Sequence, residues 1–153
     1  MMNFVFDMDG TIADLYHVED WLTKLRAEDA SPYEDAAPMW NMCELCEILR
    51  TLQDMGHRVT VVSWLAKDST KNYNRSTRAA KRKWLKTHNF PFDEIHLVKY
   101  GTPKSKYANP STINIYFDDS EDVAKELARR ANTIRINPEK INIVEFLNGF
   151  LGE

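Results

Sequence analysis

Four short stretches hold residues able to do chemistry. Asp7-Met8-Asp9-Gly10-Thr11 follows the apolar run Asn3 to Phe6, and Ser63 follows Arg58 to Val62. Gly101 to Lys106 (Gly-Thr-Pro-Lys-Ser-Lys) follows Glu94 to Val98, and Asp118-Asp119 follows Ile113 to Phe117. Carboxylates at i and i+2 point to opposite sides of a regular strand, but where the strand ends and Gly10 turns the chain both can face one pocket. Like charges crowded together are costly unless a cation shares the site. Asp7, Asp9, Asp118 and Asp119 therefore imply a hard divalent ion such as Mg²⁺. Such an ion beside a lysine and a hydroxyl suits a phosphoryl group, whose oxygens both cations neutralise. One aspartate is then free to attack phosphorus. Asp-x-Asp-Gly-Thr after a strand also makes an ordinary turn; the chemical reading rests on all four stretches occurring in order, each where a strand ends.

Those stretches need a scaffold that brings strand ends together. The four runs and a fifth, Thr133 to Ile136, alternate with helix-like segments at His17 to Glu28, Pro38 to Met55, Thr77 to His88, Glu121 to Ala131 and Ile141 to Leu151. That alternation predicts an α/β, Rossmann-like three-layer sandwich with a mainly parallel five-stranded sheet, whose ligand crevice lies at the carboxyl ends of the strands. Gly56 is placed to close the second helix and lead into a strand. With 153 residues, 43% apolar and 28% charged, the chain fits a single domain that needs no disulfide or structural metal to fold. Cys43 and Cys46 fall on a predicted helix and read as small apolar residues rather than a zinc or redox pair.

The net charge of −3 excludes a protein that coats nucleic acid generally. Charge is uneven: residues 1 to 35 carry nine acids against Lys24 and Arg26, whereas residues 67 to 86 carry eight basic residues against Asp68 alone. No apolar run approaches the roughly 18 residues of a membrane span, and acids occupy the N-terminus where a signal peptide carries basic residues. A cytoplasmic protein without an obligate protein partner is expected.

An apolar strand then Asp-Met-Asp-Gly-Thr, an apolar strand then Ser63, a downstream lysine, and an apolar strand then Asp-Asp resembles the four-motif signature of the haloacid dehalogenase superfamily, over residues 4 to 122. The resemblance implies a phosphatase rather than a dehalogenase, because the second carboxylate and Thr11 are present. It implies Asp7 as the nucleophile that forms an aspartyl-phosphate and Asp9 as the general acid/base. Ser63 takes the phosphate-binding hydroxyl position, helped by backbone N–H groups after Asp7, with Gly10 and Thr11 among the phosphate-binding residues. Asp7, Asp9, Asp118 and Asp119 are the expected metal residues, with Asp122 acting through water. Lys104, following the Gly101 turn, is the preferred phosphate-binding lysine over Lys106 and Lys99.

Substrate specificity in this superfamily comes from cap insertions. The roughly 25 residues between Thr11 and Pro38 suffice for one helix and a loop, so a minimal or absent cap is expected. The short chain and Asp-Asp motif resemble 5′(3′)-deoxyribonucleotidases, which makes Tyr16, Trp21, Tyr33 and Trp40 candidates for stacking on a base. The stretch Ser63 to Trp84 also resembles the phosphatase domain of phage polynucleotide kinase/phosphatase, which makes Lys71, Arg75 and Arg78 candidates for backbone contacts. A small phosphorylated substrate, a nucleotide before a nucleic-acid end, is expected; a catalytically idle binding module is the third reading.

Overall fold

A computed structural model describes residues 1–152. The central sheet is wholly parallel and runs in the order β5-β4-β1-β6-β7, with β1 at Met2–Phe6, β4 at Arg58–Trp64, β5 at Glu94–Val98, β6 at Ile113–Phe117 and β7 at Thr133–Ile136. The five predicted runs are these five strands. Phe4, Phe6, Val59, Val61, Ile115 and Phe117 alternate onto one face and pack on α3 (Met42–Asp54), the C-terminal half of α4 (Lys71–Thr87) and α6 (Ile143–Asn148). Val5, Val62 and Tyr116 point the other way, against α5 (Glu121–Leu127). Both faces are covered, which is why the strands read as continuous apolar runs rather than as alternating ones. On the second face Thr60 Oγ1 donates to Asn3 Oδ1 (2.8 Å) and Asn3 Nδ2 to Asn114 Oδ1 (2.9 Å), a buried ladder that pins the register of three central strands.

The helices differ from expectation mainly near the site. Asp20 is left-handed (φ 57°), so the segment from His17 to Glu28 breaks into a 3-10 turn (Leu15–His17) and a short α1 (Trp21–Arg26). A further short helix, α2 (Ser31–Asp35), starts on Ser31-Pro32, and β2 (Ala13–Asp14) pairs antiparallel with β3 (Ala37–Pro38) to close the insert at its base. Helix α4 begins six residues before the predicted start, at Lys71, because the Thr70 hydroxyl accepts from Tyr73 N (3.1 Å) as an N-cap. Gly56 closes α3 as expected, with φ 98° and its N–H on Gln53 O. Cys46 is buried in α3 and Cys43 is exposed. Among the described residues no helix is long and apolar enough to cross a membrane.

Candidate active site

The carboxyl ends of β1, β4 and β6 bring the expected acids together around a cavity of roughly 570 Å³ lined by Asp7, Asp9, Asp118, Asp119 and Lys104. Each carboxylate is placed by its strand. The Asp7 N–H donates to Phe117 O (3.0 Å), which carries the β1–β6 ladder up to the site. The chain then turns back at once, with Thr11, Ile12 and Ala13 N–H all on Met8 O and Gly10 N–H on Ala13 O. This turn requires glycine: Gly10 has φ 80°, and a Cβ there would lie 2.2 Å from Asp119 Oδ2. Trp40 Nε1 donates to Thr11 O (2.7 Å) and fixes the turn from outside.

Two buried lysines divide the four aspartates. Lys104 Nζ donates to Asp7 Oδ1 (3.0 Å) and Asp118 Oδ2 (2.6 Å). Its backbone is held by Tyr116 Oη on Lys104 O (2.8 Å), and its loop by Trp64 Nε1 on Thr102 O (2.8 Å). Lys106 instead lies over the Tyr107 ring, and Lys99 is exposed, so of the three candidates only Lys104 reaches the acids. The second lysine is Lys81, fully buried on α4, with Nζ on Asp9 Oδ2 (3.0 Å), Ser63 Oγ (2.7 Å) and Trp64 O (2.8 Å). The sequence shows Lys81 only as one of the eight basic residues of the run from 67 to 86. Its spacing from Thr77, Trp84 and Leu85, all buried on the same face, is the signal that marks it as inward-facing.

One atom each of Asp7, Asp118 and Asp119 lie within 4.8 Å of one another, a grouping able to hold a metal ion. The Asp9 carboxylate is outside that group and bonds Lys81 instead. Asp122, exposed on α5, is also outside it. Burial and the neighbouring Asp7 and Asp118 charges push the Asp119 carboxyl up to about 8, and burial with Asp7 raises Asp118 against the pull of Lys104. Burial raises Asp9 as well, opposed by Lys81. Burial alone would depress Lys104, but Asp7 and Asp118 outweigh it and hold its ammonium above the ordinary lysine range. Four carboxylates against two ammonium groups leave a formal charge of −2, which one divalent cation balances. The oxygen-only donor set fits a hard ion such as Mg²⁺.

Gly10, Thr11, Ser63 and Trp40 make their bonds within the scaffold around the cavity. Gly10 and Thr11 spend their N–H groups within the turn, so they offer no free donors to a phosphate, and the buried Thr11 hydroxyl donates to Asp7 Oδ2 (3.4 Å). Ser63 is fully buried beneath the cavity with Lys81 on its Oγ. Trp40 braces the turn and does not line the cavity, whereas Tyr16, Trp21 and Tyr33 do. Trp64 and Tyr100, whose rings are 4.9 Å apart, line it too, and sequence reading did not single them out although each sits where a strand ends. Tyr16 (48% exposed) and Tyr100 (46%) present open ring surface. Lys71 and Arg75 project from the exposed side of α4 and line neither this cavity nor the groove beside it, whereas Arg78 lines that groove.

No family model and no curated protein matches the chain. Among solved structures it is similar to a chain of the Pnkp1/Rnl/Hen1 RNA repair complex (13% identity, TM-score 0.59, over 89% of this chain and 42% of that one). A second structure of the Pnkp1/Rnl/Hen1 complex gives 14% identity and a TM-score of 0.60, over 89% of this chain and 44% of that one. The chain thus spans less than half the length of those relatives. D,D-heptose 1,7-bisphosphate phosphatase from Burkholderia thailandensis aligns over the whole of both chains at 13% identity and a TM-score of 0.51. These likenesses establish a shared fold, the α/β arrangement with a parallel five-stranded sheet described above.

Proposed function

We propose that this chain, with its haloacid dehalogenase fold, is a Mg²⁺-dependent phosphomonoesterase that works through an aspartyl-phosphate on Asp7. The observation that carries this reading is the division of the acids: Asp7 in a triad with Asp118 and Asp119, and Asp9 held apart by its own buried lysine. Asp7, Asp118 and Asp119 would hold the metal, which when bound offsets negative charge on the phosphoryl oxygens. The Asp7 carboxylate attacks phosphorus, and the bond to the leaving alkoxide breaks. Asp9, its carboxyl raised by burial and edging the cavity with 16% of its side chain exposed, serves as the general acid and gives a proton to that alkoxide. Asp9 then takes a proton from water, which attacks phosphorus and breaks the bond to Asp7, releasing inorganic phosphate. Lys104 orients Asp7 and adds positive charge beside the transferred group, and Lys81 keeps Asp9 and Ser63 in place.

The aromatic side chains that line the cavity, the Tyr16–Trp21 and Trp64–Tyr100 pairs, support a nucleoside monophosphate as substrate, with its base stacked on one of these pairs. The open basic groove next to the cavity favours a nucleic-acid end as the second reading. A phosphate-release screen with Mg²⁺ over nucleoside monophosphates, sugar phosphates and 3′-phosphorylated oligonucleotides tests the proposal. Turnover of nucleotides that EDTA abolishes and Mg²⁺ restores is expected; full activity in EDTA contradicts it.

A further inference from the structure

Beside the acidic cavity lies a second cavity of opposite sign. It is a groove of roughly 610 Å³ between the loop after β4, the first turns of α4 and the loop after β5. Lys67, Arg78 and Lys99 line it, and only Asp68 opposes them. Among the described residues none of the three cations makes an ion pair. The groove is a built feature rather than a gap between loops. Ser69 Oγ donates to Ala66 O (2.8 Å) and also bonds Asn74 Oδ1, which locks the loop onto α4. Arg78 Nε donates to Leu97 O (3.4 Å), which anchors the guanidinium and leaves its terminal nitrogens for an anion. Leu65, Ala66, Lys67 and Tyr100 belong to the walls of both cavities, so the groove opens directly from the site of the acids.

We propose that this groove is a second phosphate subsite, so that the preferred substrate carries, besides the phosphomonoester reacting at Asp7, a second phosphoryl group on the same molecule. The acidic cavity attracts a cation and the groove an anion, and a ligand passing Tyr100 meets them in that order. The second group is either another monoester, as in a nucleoside 3′,5′-bisphosphate, or a diester, as in an oligonucleotide with a terminal phosphate. The proposal rests on the phosphomonoesterase reading for which group reacts, but binding in the groove does not depend on turnover.

The test compares the intact chain with Arg78→Gln/Lys99→Gln, two exposed positions, after thermal melts confirm that the variant is folded. For wild type, KM should be lower for the bisphosphate or the terminally phosphorylated tetranucleotide than for the mononucleoside monophosphate. In the variant KM for the two-phosphate substrate should rise about tenfold. The monophosphate should change less than about twofold. Fluorescence anisotropy with a tetrathymidylate lacking terminal phosphates, and calorimetry with the bisphosphate in EDTA, give readouts free of catalysis. Variant-sensitive binding of the tetranucleotide identifies a diester subsite, and of the bisphosphate alone a monoester subsite. If wild type turns over no phosphomonoester yet binds either probe in a variant-sensitive way, the subsite stands and the phosphatase reading falls. If neither probe binds, or the variant weakens monophosphate and two-phosphate ligands equally, the subsite is overturned.

Discussion

Lys81 enters the site from the middle of α4 and holds Asp9, whereas Lys104 holds Asp7 and Asp118, so that Asp9 is set apart from the other acids. Removing the Lys81 charge leaves Asp9 without a partner in a largely buried place. Lys81→Met should therefore cost about 3 kcal/mol in urea unfolding, at the lower end for a broken buried pair because Asp9 keeps some solvent contact. Lys81→Met/Asp9→Asn should recover most of that loss. A single variant as stable as wild type would show that the pair carries no such role. The acids themselves were legible in the sequence, because Asp7, Asp9, Asp118 and Asp119 each follow an apolar strand. Lys81 was not, since it is one of eight basic residues within residues 67 to 86, and only its position on the apolar stripe of α4 distinguishes it. Trp64 and Tyr100 were missed although their strand ends were located, because neither carries a charge or nucleophile that would single it out beside Ser63 and Lys99.

At the scale of elements, the five strands were legible because burial on both faces leaves long apolar runs. The insert of residues 13–38 was not, because its elements are two to six residues long and carry no measurable period. Its position depends on contacts distant in sequence. Glu28 accepts from Thr70 Oγ1 (3.0 Å), Lys83 pairs with Glu34 (2.6 Å), and Trp84 Nε1 donates to Ala36 O (2.7 Å). Leu15, Tyr33, Tyr73 and Ala80 pack beneath. The insert is thus a fixed wall that presents Trp21 and Tyr16 to the cavity. Trp21→Ala/Tyr100→Ala should raise KM for a nucleoside monophosphate about tenfold while leaving glycerol phosphate nearly unchanged, since only the first has a ring to stack. Equal losses on both substrates would remove the stacking role. Across the cavity floor, Gly10→Ala should destabilise the fold by about 1–3 kcal/mol and reduce Mg²⁺ affinity, because the strained turn and the Asp119 carboxylate must both move. Calorimetric titration of the variant with Mg²⁺ checks the second effect.

For the whole molecule, the unbalanced acids make stability depend on pH and metal together. Unfolded aspartates titrate near 3.9, roughly, whereas Asp119 in the folded chain holds its proton up to about 8 and Asp118 is raised as well. The folded, metal-free chain therefore binds more protons than the unfolded one between about pH 4 and 8, and its stability should fall as pH rises through that window. Mg²⁺ competes with those protons, so the gain in Tm on adding it should be larger at pH 8 than at pH 5. Thermal melts in EDTA and in Mg²⁺ at the two pH values test this, and a metal-free chain more stable at pH 8 contradicts it. The proposed mechanism depends on a covalent bond to Asp7. Acid-quenching the protein during turnover of a ³²P-labelled nucleoside monophosphate in Mg²⁺, then mapping the label by peptide, reads that bond directly. Hydroxylamine-labile label on the peptide containing Asp7, absent from Asp7→Asn together with all turnover, is the predicted result. Turnover with no label on that peptide, or an Asp7→Asn variant that still hydrolyses the substrate, would contradict it.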